Sequence, residues 1–160
     1  MNKLFRTLLV GTILAVGTDA VALAAGAPDP VVGSWTLNLE KSTYSPGPAP
    51  KSQTRTYAES ADGIALTITG VAADGTSMSG QSTFKYDGKN YSITGSPDFD
   101  ALTLQRVNGS TVKSTLKRAG KVIGSTVRTI SGHGKILTLA SKGRDTKGAR
   151  FLITAVFDKQ

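Results

Sequence analysis

The feature that most constrains this chain is an alternation of apolar and polar residues, repeated in run after run and broken each time by a turn pair. "SWTLNLE" sets Trp35, Leu37 and Leu39 on one face against Thr36 and Asn38. "GIALTITG" does the same with Ile64, Leu66 and Ile68, and in "SMSGQSTFKY" Met78, Phe84 and Tyr86 share a parity with Gly80 and Ser82. Tyr91 and Ile93, then Leu102 and Leu104, then Val112 and Leu116 continue the pattern. A period of two means half-buried antiparallel strands, with one face on a core and one in water. Asp62-Gly63, Asp74-Gly75, Asp87-Gly88, Asn108-Gly109 and Gly120-Lys121 separate the runs, and such pairs tolerate the positive φ of tight hairpins. Two further strands over 121–130 and 135–141 flank "SGHG", and 150–159 closes the chain. The one long stretch without strand pattern is 40–53, where Pro46, Pro48 and Pro50 impose an extended loop.

Consecutive short hairpins make a meander. Eight to ten such strands with one apolar face predict an all-β, single antiparallel up-and-down barrel, because closure removes the exposed edges that an open sheet would present. The inward row is Leu37, Leu66, Ile68, Phe84, Tyr86, Tyr91, Ile93, Leu102, Leu104 and Leu116. It either lines a pocket for a small apolar or amphipathic ligand, with Tyr86 and Tyr91 offering hydroxyls, or packs into a filled core. Arg106, Lys117 and Arg128 are candidates to meet an anionic head group at the barrel mouth.

Residues 1–25 read as a cleaved secretory signal peptide: Lys3 and Arg6 precede an apolar run over 8–16, and Ala22-Leu23-Ala24 supplies the small residues of a cleavage site. The run falls short of the roughly 20 residues of a membrane span. The expected product is one domain over 26–160, periplasmic or secreted. With no cysteine in the chain, neither disulfides nor thiol catalysis is available, and the core alone must hold the fold.

Charge is unevenly spread. Residues 26–100 carry five Lys and Arg against eight Asp and Glu, whereas residues 101–160 carry twelve against two. A basic half of this kind attracts anionic surfaces or partners, so peripheral contact with an anionic envelope surface by a packed, non-catalytic barrel is the alternative reading. Nucleic acid is not an expected partner, because Phe151 and Phe157 are the only aromatics among those lysines and arginines. Nor is an enzyme expected. His133 sits in a glycine-flanked turn, Asp98 and Asp100 follow Pro97 as ordinary turn residues, and no Gly-x-Ser-x-Gly elbow is present. No catalytic residue, metal site or cofactor is predicted, and the oligomeric state is not legible.

Gly33 and Trp35 in "VVGSWTLNLEKS" form a Gly-x-Trp at the start of the first strand, and "AVFDKQ" ends the chain. Both resemble features of the lipocalin and fatty-acid-binding protein (calycin) superfamily. The sequence is most similar to small exported bacterial lipocalin-like proteins of unassigned role that carry "GxWxLNxxKS" before a "PGPxP" loop. The resemblance implies that the tryptophan plugs the closed end of the barrel beneath a basic side chain from a late strand. Arg128 and Arg150 are the candidates for that cation, giving Gly33, Trp35, Arg128 and Arg150 as the barrel-closing set. The Thr-Asp-Tyr motif of many lipocalins is absent, and the proline loop leaves no room for the helical lid of fatty-acid-binding proteins.

Overall fold

The computed structural model describes residues 28–160. The predicted signal segment, 1–25, and the first two residues of the predicted domain lie outside the described residues. Ten strands follow one another: β1 (Gly33–Ser45), β2 (Ser52–Ser60), β3 (Gly63–Val71), β4 (Ser77–Phe84), β5 (Asp87–Ser92), β6 (Ala101–Arg106), β7 (Thr111–Arg118), β8 (Lys121–Ser131), β9 (Ile136–Arg144) and β10 (Arg150–Lys159). They form a single sheet in the order β4-β3-β2-β1-β10-β9-β8-β7-β6-β5. Every ladder is antiparallel, so the chain is an up-and-down meander that curls into a nearly closed barrel.

β1 and β10 join the two halves. The seam lies between β4 and β5, where no ladder forms and single bonds bridge the gap. Ser82 Oγ donates to the Ser92 carbonyl at 2.8 Å, and the Thr94 N–H donates to the Gln81 carbonyl at 3.0 Å. Gly95, at φ 74°, allows this approach, because a Cβ there would fall 1.7 Å from the Ser79 carbonyl oxygen.

β1 departs from the predicted alternation. Asn38 pairs with Val156 and Thr43 with Thr154, so three extra residues bulge from β1. Ser42 clamps the bulge, donating to the Asn38 carbonyl at 2.6 Å and accepting from the Val156 N–H at 2.9 Å. The bulge reverses parity: Leu39, which alternation sets on one face with Trp35 and Leu37, is 44% exposed, and Tyr44 turns inward instead. It also lets β1 run on to Ser45, so the loop predicted over 40–53 shrinks to 46–51.

The N-terminal end of the barrel is shut. Val31, Trp35, Leu137 and Phe157 are fully buried there, and the Trp35 indole Nε1 donates to the Val31 carbonyl at 2.7 Å. The cation over the indole is Lys159, whose Nζ lies 5.1 Å from the ring centroid. This corrects the expectation of Arg128 or Arg150, and strand register supplies the reason. Trp35 pairs with Lys159, whereas Arg128 pairs with Leu139, deeper in the barrel, and Arg150 starts β10 at the opposite end. Gly33, at φ 131°, makes room for the lysine: a Cβ would stand 2.8 Å from Lys159 Cε.

Candidate functional site

The barrel is not filled. A cavity of about 490 Å³ opens at the end opposite Trp35. Pro46, Pro48 and Pro50 of the β1–β2 loop, Ala72 and Ala73 after β3, and the segment from Gly95 to Phe99 surround its mouth. Of the predicted inward row, Leu66, Ile68, Phe84, Ile93, Leu102, Leu104 and Leu116 line this space. The other three do not. Leu37 is buried below the cavity, Tyr86 lies beneath its floor against Phe84, and Tyr91 turns its hydroxyl to Asp87 Oδ1 at 2.8 Å near the surface.

The cavity wall is not uniformly apolar. Gln53 and Arg55 face it from β2, beside Tyr57, and Arg128 faces it from β8. Arg128 is only 5% exposed. Its Nη2 donates to the Tyr86 hydroxyl at 2.6 Å, and its guanidinium carbon lies 5.6 Å and 5.3 Å from the ring centroids of Tyr57 and Tyr86. No carboxylate forms an ion pair with it among the described residues, and its buried Nε has no hydrogen-bond partner. Burying an uncompensated charge costs several kcal/mol (about 3–5 by the effect of removing one partner of a buried pair). The aromatic faces offset about 0.5–2 kcal/mol of that. Arg55 is the milder case: its Nε donates to Gln53 Oε1 at 3.1 Å and its guanidinium stands 5.5 Å from the Phe157 ring.

Of the three cations that the sequence offers for a head group, Arg128 alone faces the cavity, while Gln53 and Arg55 were passed over. The available signal was parity, since "QTRTY" puts Gln53, Arg55 and the buried Tyr57 on one face. Two other predicted head-group cations lie away from the mouth interior. Lys117 faces outward and donates to Asn90 Oδ1 at 2.8 Å. Arg106 is at the closed end, ion-paired with Asp29 and stacked over the Tyr86 ring at 4.1 Å. His133 is exposed in the β8–β9 turn at φ 55°, and Asp98 lies at the mouth.

Asp29 closes the far side of this network, with a side chain 8% exposed. Burial alone would raise its carboxyl, but the Val31 N–H at 2.9 Å, Arg106 and the Tyr86 hydroxyl together hold it below the ordinary aspartate range. A depressed carboxylate stabilises the fold above its unfolded value, and that contribution disappears as pH falls through the depressed one. Asp29→Asn is therefore expected to cost about 1–2 kcal/mol at neutral pH, a difference that shrinks as pH falls and the parent carboxyl takes up its proton, as read by urea unfolding along a descending pH series. Burial pushes the Tyr86 hydroxyl up, against the lowering influence of Arg128, so the phenol remains a neutral partner for the guanidinium.

No family model and no curated protein matches the sequence. Among solved structures the chain is similar to that of zebrafish ileal bile acid-binding protein complexed with cholic acid. The two share 12% identity and a TM-score of 0.48, over 82% of this chain and 99% of that one. A likeness of that degree bears on neither ligand nor mechanism. The architecture rests on the strand ladders themselves, and these give the up-and-down barrel that the Gly33 and Trp35 resemblance implies.

Proposed function

We propose that the protein is an exported, non-enzymatic binding or carrier protein for a small amphipathic anion. The observation that carries this reading is Arg128: a buried guanidinium with no carboxylate partner among the described residues, on the wall of a cavity that it shares with an aliphatic side formed by Leu66, Ile68, Leu102 and Leu116. A carboxylate or similar head group would complete the hydrogen bonding of that guanidinium, and an apolar body would cover Leu66, Ile68, Leu102 and Leu116. The volume suits a ligand of ordinary metabolite or lipid size. A filled barrel, the alternative considered from sequence, does not accommodate a cavity of about 490 Å³. Residues 1–25 supply the export part of the reading, which favours a periplasmic or secreted protein. Calorimetric titration with palmitate and with its methyl ester tests the proposal. Palmitate is expected to bind at least tenfold more tightly, in line with a charge-assisted bond of about 1.5–3 kcal/mol; equal affinities would contradict it.

A second observation supports contact with an anionic surface at the same end. Lys121, Lys142, Arg144, Lys147 and Arg150 cluster around the β7–β8 and β9–β10 turns, and none is in an ion pair among the described residues. Arg144 and Arg150 stand directly opposite each other across the β9–β10 ladder, an arrangement that costs stability. Flotation with phosphatidylglycerol-containing vesicles is expected to show binding at low salt that is lost at about 0.5 M salt, where screening shortens to a few ångströms.

A further inference from the structure

The cavity has two unlike sides. β3 and β4 contribute Leu66, Ile68, Met78 and Phe84, with no polar side-chain atom among them. Across from them Ser114, Thr126 and Ser141 project into the same space from β7, β8 and β9. These three are strictly in register, Ser114 opposite Thr126 and Thr126 opposite Ser141, so they form a single row of hydroxyls across three neighbouring strands. At about 4.8 Å per strand the row spans roughly 10 Å. It lies one inward position nearer the mouth than Val112, Arg128 and Leu139, which form the next row down. Two residues of strand put about 7 Å between these rows.

Inward positions in a barrel core ordinarily carry aliphatic side chains, since a hydroxyl taken out of water costs free energy without a partner. Thr126 Oγ1 and Ser141 Oγ bond to each other at 2.8 Å. That bond uses one hydrogen of the three, because each hydroxyl has one donor and two acceptor sites. The remaining capacity of the row faces the cavity, at one depth and on one side only.

The geometry points to a ligand of more specific chemistry: an amphipathic acid whose chain bears a hydroxyl on one side, a short distance from its anionic end. This rests on the reading of the cavity as an anion-binding site. Arg128 would hold the head group, the Ser114–Thr126–Ser141 row would bond the chain hydroxyl, and the β3–β4 wall would cover the unsubstituted side. Ser114, Thr126 and Ser141 then determine specificity, and Arg128 determines affinity.

The test is displacement of a fluorescent anilinonaphthalene sulfonate probe by palmitate and by a series of monohydroxypalmitates with the hydroxyl at successive carbons. One position in the series is expected to bind about three- to tenfold more tightly than palmitate, the value of one net hydrogen bond. The near-isosteric Thr126→Val variant, and the triple variant Ser114→Ala, Thr126→Val, Ser141→Ala, are expected to erase that gain, so that the favoured isomer binds each variant no more tightly than palmitate binds the same variant. The single substitution keeps the test in force where the triple one fails to fold. Equal binding of every isomer to the parent protein would overturn the hydroxyl-row assignment and leave the anion site standing. Retention of the gain in Thr126→Val and in the triple variant would also overturn it. Failure of every acid to bind would overturn both.

Discussion

Replacing Arg128 with methionine is expected to separate stability from binding. The guanidinium is buried without a carboxylate and its Nε is unpartnered, so an apolar side chain of similar length removes a desolvation cost and retains most of the packing. Substitutions of buried ionic groups by hydrophobic ones are commonly neutral or stabilising by about 1–4 kcal/mol. The melting temperature of the ligand-free variant should equal or exceed that of the parent. Palmitate affinity should fall by about 30- to 150-fold, the equivalent of 2–3 kcal/mol for lost charge-assisted bonds. Affinity for the methyl ester should change little. Scanning calorimetry and titration of both ligands check this, and an equal loss for acid and ester would mean that Arg128 only shapes the wall.

The second large effect is expected at the closed end. Trp35 is fully buried, donates to the Val31 carbonyl and lies under Lys159. Trp35→Ala leaves a large void beside Phe157 and Leu137 and orphans the Val31 carbonyl. The expected cost is about 3–5 kcal/mol, a fall of roughly 10–20 °C in melting temperature for a domain of this size. Lys159→Ala, which removes only the cation over the ring, should cost about 0.5–1 kcal/mol. Thermal and urea unfolding of the two variants side by side distinguish a structural plug from an ornamental tryptophan: similar, small losses would deny Trp35 the role.

The meander was legible because period-two patterning and Asp-Gly or Asn-Gly turns report local backbone geometry, and local geometry repeated ten times leaves few ways to close a sheet. The β1 bulge was not legible. Leu39 has the parity of Trp35 and Leu37, and the clamp that expels it, Ser42 with Asn38 and Val156, depends on a strand that comes more than a hundred residues later. Inward aliphatics could be named, but alternation cannot tell a lined cavity from a packed core, so Leu37 and Leu66 looked alike although one is in the core and the other on the wall. Cations were the hardest. Arg55 sits at inward parity, where a charged residue is rarely expected; of the three head-group candidates only Arg128 faces the cavity, and Lys159 reaches Trp35 only because β1 and β10 pair in the register observed.

Native mass spectrometry of the protein taken from its own host, compared with its denatured mass, tests the central claim most directly. A reproducible added mass of a few hundred daltons is expected, matched to the cavity volume, released on denaturation and recovered as an organic acid. A neutral cargo would overturn the assignment of Arg128 as an anion site, as would a bare protein that also fails to take up added palmitate.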